Sequence, residues 1–153
     1  TYTVIVPPQH EIMRLDRIES YMFFHMPILK MLQELGVEAG LAPVNETHED
    51  RETMACFRNA ARHDVVVDGR KIAGAAQRRS RAGILHQGSI LLDSLAKFKK
   101  EFLTDRLIDS FMNEYKITFG NYDPDKKLIV DAENLADEKY STQEWNMERK
   151  ASD

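Results

Sequence analysis

The chain holds a single thiol, Cys56. A cysteine becomes a nucleophile when cationic neighbours or a helix N-terminus lower its pKa enough for thiolate to exist at neutral pH. Arg58, Arg62 and His63 lie close to it in sequence, and Arg70 and Lys71 follow across an expected hairpin. The same residue also reads as a small buried hydrophobe, the commoner fate of a lone cysteine. One thiol excludes an internal disulfide and a cysteine-rich zinc site. A second group is Arg70, Lys71, Arg78, Arg79 and Arg81, five cations within twelve residues with no acid among them. In a chain of net charge -4 that patch suits a phosphate-bearing ligand or an acidic partner surface. It suits charged strand edges that resist aggregation equally well. Lys71 stands apart because it opens a strand of alanines and glycine, where an ammonium can hold an anionic group or stabilise an oxyanion. An exposed lysine at a strand end is the alternative. Histidines 10, 25, 48, 63 and 86 show no ligand spacing, so no metal site is expected. No phosphate-binding loop or dinucleotide fingerprint is present.

The elements that must position these residues follow from hydrophobic periodicity. Residues 63–67 form a β-branched run, and Asp68-Gly69 after it is a two-residue hairpin signal. The return strand KIAGAAQRR is built from small residues, which weaken a strand unless something approaches its backbone closely. A turn at 80–83 and the strand ILHQGSILLD complete a three-stranded antiparallel meander. Upstream, Tyr2-Thr3-Val4-Ile5-Val6 reads as a strand closed by Pro7-Pro8, an opening that implies a segment of something longer. Residues 12–35 carry a helical stripe of Leu15, Ile18, Met22, His25, Leu29, Leu32 and Leu35, with Gly36 at the C-cap position. Pro27 is expected to kink or divide that helix near His25. Residues 37–44 are expected to include a short strand, and NETHEDRET after them to be a polar loop. Downstream, a helix is expected over 105–119, ending at Gly120. Another should follow Asp123-Pro124 with Leu128, Ala132, Leu135, Ala136 and Tyr140 inward. Ser141 and Glu144 form a possible capping box for a last turn containing Trp145.

Composition narrows the classes. With 153 residues, 42% of them hydrophobic and 30% charged, the chain is in the range of one ordinary globular domain. Its acidic balance argues against a nucleic-acid binder. No run approaches 18 apolar residues and the first ten lack signal-peptide character, so no membrane partner is expected and the cytoplasm is the expected compartment.

The run CFRNAARHDVVVDGRKIAGAAQRRSRAGILHQGSILLD, residues 56–93, resembles the lipoate–protein ligase and octanoyltransferase family, above all its cysteine-dependent, ligase-like octanoyltransferases. The matching pieces are Cys56-Phe57, DGRKIAG, AQRR and GSILLD, and the ending LADEKYSTQEWN resembles the group's C-terminal signature. The likeness extends over nearly the whole chain. It implies an α+β fold of the biotin/lipoate protein ligase (class II synthetase-like) kind, a mixed or antiparallel sheet flanked by helices. Residues 1–120 would be the C-terminal part of the catalytic domain and 121–153 a helical extension. The family's Arg-Arg…Gly-Gly…His segment, which precedes the strand TYTVIV, is not in the chain, so its N-terminal portion is expected to be missing.

By resemblance, Cys56 falls where these octanoyltransferases carry their nucleophile and Lys71 on the lysine that contacts acyl and adenylate groups. Ala73, Gly74, Ala75 and Ala76 would leave a groove for an acyl chain. Gln77, Arg78, Arg79, His86 and Gly88 are further substrate-binding candidates, the arginines toward a carrier protein or its phosphopantetheine. One departure is local: the family places a histidine directly before the glycine, whereas here the order is His86-Gln87-Gly88. A one-residue displacement in a strand moves a side chain to the opposite face. The implied reaction moves an octanoyl or lipoyl group from acyl carrier protein, through a thioester on Cys56, to a lysine of a lipoyl carrier domain. Glycine cleavage H protein and 2-oxoacid dehydrogenase subunits are the expected acceptors, and no cofactor is required. The alternatives are a lipoate–protein ligase using ATP and Mg2+, and a non-catalytic remnant or accessory subunit that binds a carrier domain.

Overall fold

The chain is seen in a computed structural model that describes residues 1–43, 60–91 and 95–147. Strand β1 (Tyr2–Val6) forms where the sequence places it, and its alternating burial turns Tyr2, Val4 and Val6 inward. The helix after it starts later than periodicity suggested. Glu11–Arg14 make a 3-10 turn, with the His10 ring accepting the Ile12 N–H. Asp16 then caps α1 (Arg17–Glu34) by accepting the Glu19 N–H at 2.7 Å, while the Glu19 carboxylate accepts the Asp16 N–H at 3.0 Å. This reciprocal box satisfies two otherwise orphaned donors, and it fixes the start of α1.

Pro27 does not divide α1, which runs unbroken through it. A proline has no N–H, so the carbonyl four residues earlier, on Phe23, loses its intrahelical donor. The Tyr115 hydroxyl donates to that carbonyl, and Ser110 Oγ donates to the Pro27 carbonyl at 2.7 Å. Both donors come from α2 (Lys100–Tyr115), so the gap in one helix becomes an attachment point for the other. Helix α2 lies some five residues earlier than expected, because Lys116 takes a left-handed conformation (φ 53°) and stops it before Gly120. Gly36, with φ 73°, follows α1 as its sequence position predicts.

Strands β2 (Ala39–Leu41), β3 (Val65–Val67), β4 (Arg70–Ser80) and β5 (Gly83–Ile90) complete a sheet of order β1-β5-β4-β3-β2, antiparallel at every pairing. The expected meander is its centre. Asp68 and Gly69 both have positive φ, which matches the twist of the strands they join. Gly83 allows β1 to close against β5, since a Cβ there would sit 2.1 Å from the Val6 carbonyl oxygen.

Helices α1 and α2 cover one face of the sheet. Ile28, Leu29, Met31 and Leu32 of α1 pack on Val65, Ile72 and Ala73, with Leu95 and Leu103 alongside. Phe24 joins Val6, Ile12 and Ile84 in a second cluster. Each large side chain fully buried in this way contributes about 1.5–3 kcal/mol.

The chain divides into two units, Thr1–Thr118 and Phe119–Asp153. In the second, Asp125 caps α3 (Lys126–Leu135), a π turn (Ala136–Tyr140) follows, and α4 (Gln143–Met147) ends the described residues. The capping residue of that last turn is Thr142 rather than Ser141, its hydroxyl accepting the Trp145 N–H. Leu128, Leu135 and Tyr140, expected inward, are exposed. No helix among the described residues is long and apolar enough to cross a membrane.

Candidate active site

The position of Lys71 depends on an irregularity in β4. Val65 pairs with Ala73 but Val66 pairs with Lys71, so β4 carries one residue more than β3 at this point, a bulge at Ile72. Ile72 and Ala73 consequently both enter the core under α1. Their neighbours Lys71 and Gly74, three apart in sequence, then share the other face, which regular alternation forbids. The lysine chain lies across the bare glycine: a Cβ on Gly74 would meet Lys71 Cε at 2.1 Å, Nζ at 2.5 Å and Asp64 Oδ1 at 3.0 Å.

At the end of that path Lys71 Nζ meets Asp64 Oδ2 at 2.8 Å, with only 12% of the lysine and 3% of the aspartate side chain exposed. The carboxylate is fixed independently, since Oδ2 also accepts the Ala61 N–H at 2.7 Å. The Asp64 backbone is tied down as well, its carbonyl accepting from Ala42 N at 2.7 Å and its N–H donating to the Ala61 carbonyl. His63, just before it, holds a left-handed φ of 68°. Its carbonyl accepts a hydrogen bond from His25 Nδ1 at 2.6 Å, which assigns the ring proton to Nδ1. His25 Nε2 is then a buried acceptor with no hydrogen-bond partner among the described residues. Burial holds the His25 pKa below the ordinary histidine value.

The other sequence candidates divide between the two faces. Gly74, Ala76 and Arg78 lie with Lys71 on the face away from α1, where the register sets Thr3, Gln87 and Ala76 in one row and Ile5, Leu85 and Arg78 in the next. Ala76, Arg78 and Gln87 are exposed there, and Ile5 is 77% exposed. Ala73, Ala75, Gln77, Arg79, His86 and Gly88 belong to the face that meets α1. Cys56 lies outside the described residues.

On the α1 side the polar candidates bind the protein itself. Arg79 donates to Ser20 Oγ at 3.1 Å and to the carbonyls of Met13 and Leu15 at 3.1 and 2.9 Å, fastening the 3-10 turn to the sheet. Gln77 Nε2 donates to the same Ser20 Oγ at 2.9 Å. His86 is fully buried between Phe24, Tyr2, Tyr21 and His25. Its ring nitrogens meet Gln77 Oε1 at 3.3 Å and the Tyr2 hydroxyl at 3.2 Å. Burial first, and the neighbouring His25 second, push the His86 pKa down to about 3, so the ring is neutral at physiological pH. Gly88 makes room for the Tyr2 ring, whose atoms lie 2.3–2.4 Å from where a Cβ would stand. Burial raises the Tyr2 pKa, and the Asp64 charge adds to the rise.

Sequence reasoning missed Asp64, although an acid at the head of a β-branched run that enters the core needs a cationic partner. It also missed Tyr2, whose partner is 84 residues away.

Residues 1–118 match the family described as the lipoyl protein ligase A/B catalytic domain. The octanoyltransferase LipM of Brevibacillus brevis is 30% identical over 191 aligned residues, which cover 97% of this chain and 68% of the relative. Against a chain of 153 residues, that length leaves at least 38 aligned positions of the relative without a counterpart here. Among solved structures, a T. acidophilum protein described as a lipoate protein ligase, with bound lipoic acid, has a TM-score of 0.75 at 21% identity. The match covers 95% of this chain and 63% of that one. A bi-partite lipoate protein ligase from Thermoplasma acidophilum, described with its E2 lipoyl domain, has a TM-score of 0.71 at 20% identity, over 99% of this chain and 64% of its own. The chain therefore spans about two thirds of the length of the proteins it matches. The extent of the family match, the LipM similarity and the shared α+β fold agree: this chain belongs to the lipoyl protein ligase A/B catalytic domain family.

Proposed function

We propose that the protein to which this chain belongs transfers an octanoyl group to a lysine of a lipoyl carrier domain, in the cytoplasm and without a cofactor. The observation that carries the reading is the Lys71–Asp64 pair set over Gly74 on the sheet face away from α1, in a chain 30% identical to an octanoyltransferase. In the first step the Cys56 thiolate attacks the carbonyl of octanoyl-acyl carrier protein, and the carrier's thiol leaves with a proton. In the second, the acceptor lysine amine attacks the Cys56 thioester, the thiolate leaves, and the nitrogen loses a proton to give an amide. Thioester exchange is nearly isoenergetic, and amide formation makes the sequence run forward.

Each step passes through an oxyanion. An ammonium already desolvated and oriented meets it without reorganising, and a donor placed in this way is worth about 10²–10³ in rate. The small side chain of exposed Ala76 suits an acyl chain beside it, and exposed Arg78 suits an acidic carrier. The ATP-dependent alternative uses the same lysine toward an acyl-adenylate.

Intact-mass analysis after incubation with octanoyl-acyl carrier protein, without ATP, tests the proposal. The expected result is a hydroxylamine-labile octanoyl adduct that is absent from Cys56→Ala. Transfer of lipoate to a carrier domain only when ATP and Mg2+ are added would replace this reading by the ligase. No acylation under either condition would leave the carrier-binding accessory role.

A further inference from the structure

We infer that Gly74 is a positioning residue: its missing side chain is the notch through which Lys71 reaches Asp64, and the bulge at Ile72 brings notch and lysine to one face. The inference deepens the reading of Lys71 given above and rests on it for its catalytic consequence. The geometry stands by itself. Lys71 begins β4, and a lysine there in regular alternation would share a face with Ala73 and run away from Gly74. The two-for-one pairing of Lys71 and Ala73 against Val66 and Val65 reverses that phase. The methylene chain then lies along its own strand at less than van der Waals distance from any added Cβ. Asp64, pinned by the Ala61 N–H, marks where the ammonium stops.

The closest conflict that a Cβ would create is with the far end of a flexible chain, Asp64 Oδ1 lying next at 3.0 Å. The strand accommodates alanine at this φ, so the lysine is the part that moves. Gly74→Ala should therefore leave the fold intact and displace one ammonium. Because the displaced ammonium leaves the Asp64 carboxylate covered and unpaired, some stability is lost with it, as in Lys71→Ala.

Amine reactivity reads the displacement directly. The 153-residue chain is treated with limiting acetic anhydride, and acetylation at Lys71 is followed by peptide mass spectrometry relative to exposed Lys126. In the parent chain Lys71 should react at least about tenfold more slowly than Lys126, because it is charge-paired and almost covered. Gly74→Ala should raise its reactivity about fivefold or more while lowering the melting temperature no further than Lys71→Ala does, and Asp64→Asn should raise it too. Gly74→Ser is the second variant should the alanine form fail to accumulate folded. A Lys71 as protected in these Gly74 variants as in the parent overturns the notch.

Transfer kinetics carry the functional half. Gly74→Ala should lower kcat for octanoyl transfer about tenfold or more while KM for the acceptor stays within about threefold. Exposure of Lys71 with kcat unchanged would overturn the positioning role. Lys71→Ala distinguishes the two levels: full activity in that variant would remove Lys71 from the mechanism and sink the functional reading, while the acetylation result would still decide the geometry. Loss of activity in Lys71→Ala, with Gly74→Ala like the parent in both assays, would sink only this inference.

Discussion

On the sheet face that meets α1, Gln77, Arg79 and His86 have their polar atoms engaged by Ser20, two backbone carbonyls and the Tyr2 hydroxyl. On the opposite face of the same strands, Arg78, Gln87 and Ala76 are exposed, and the nearly covered charges are the Lys71–Asp64 pair. Strand alternation makes this contrast possible, because neighbouring residues Gln77 and Arg78, or His86 and Gln87, belong to different environments. Polar residues beneath α1 hold elements together, and Arg78 and Gln87 on the far side are exposed to a ligand or partner. Substitutions on the first face should therefore register in unfolding free energy, and those on the second in turnover or binding.

The largest effect should come from Phe24→Ala. Phe24 is fully buried, lies tilted against the His86 ring with centroids 4.2 Å apart and joins Val6, Ile12 and Ile84. A loss of about 3–5 kcal/mol is expected in urea unfolding. A loss below about 1 kcal/mol would mean that α1 does not seal this face.

Acid should act next. The His86 pKa is held at about 3 in the folded state against 6.5 for a free histidine. A depressed value means that the unfolded chain binds the proton first. The stability is fully present above pH 6.5 and is lost as pH falls from there toward 3, by up to about 1.4 kcal/mol per pH unit. Between pH 6.5 and 4.5 this amounts to about 2–3 kcal/mol, and His25 acts in the same direction. Melts of the parent and His86→Gln at pH 7, 6 and 5 check the sign. The variant should show the shallower slope, and equal slopes would remove His86 as the source.

Arg79→Lys should cost less, about 1–2 kcal/mol. A lysine keeps the charge but cannot serve Ser20 Oγ and the Met13 and Leu15 carbonyls together as the planar guanidinium does. Thermal melts should show the loss at every salt concentration, because these bonds reach carbonyls and a hydroxyl rather than a countercharge.

Much of this organisation was legible in the chain. The β-branched run, the Asp68-Gly69 turn and the alanine-rich return strand gave the centre of the sheet, since pattern and turn chemistry are local. The order His86-Gln87 was also readable, because alternation alone assigns the two residues to opposite faces. The bulge at Ile72 was not: RKIAGAA read as regular alternation sets Lys71 with Ala73 rather than Gly74, and the extra residue is visible only in the pairing with Val65 and Val66. Pro27 announced a missing hydrogen bond, but its remedy lies 92 positions away from Phe23, in Tyr115. Asp64 was hidden in the same way, as its meaning depends on where Lys71 is brought. In the second unit, the stripe of α3 predicted burial that the described structure does not provide, since periodicity says that a helix has an apolar face and not what covers it.

Arg78→Ala should be the quietest change to the fold and the sharpest test of the contrast with its neighbour. Arg78 is exposed, one residue before a guanidinium committed to three internal acceptors, and its row holds Leu85 and Ile5 rather than any acid. Removing an exposed charge with no buried role should alter stability by less than about 0.5 kcal/mol. If this face receives an acidic carrier domain, the same substitution should weaken carrier binding about three- to tenfold at low ionic strength. The difference should shrink as salt is raised, because an exposed charge acts through a screened field. Titration of a carrier domain at two salt concentrations, with Arg79→Lys in parallel, separates the outcomes. Weakened, salt-sensitive binding confined to Arg78→Ala keeps the far face as the docking side. Binding unchanged in Arg78→Ala but weakened in Arg79→Lys would move recognition to the 3-10 turn that Arg79 holds in place.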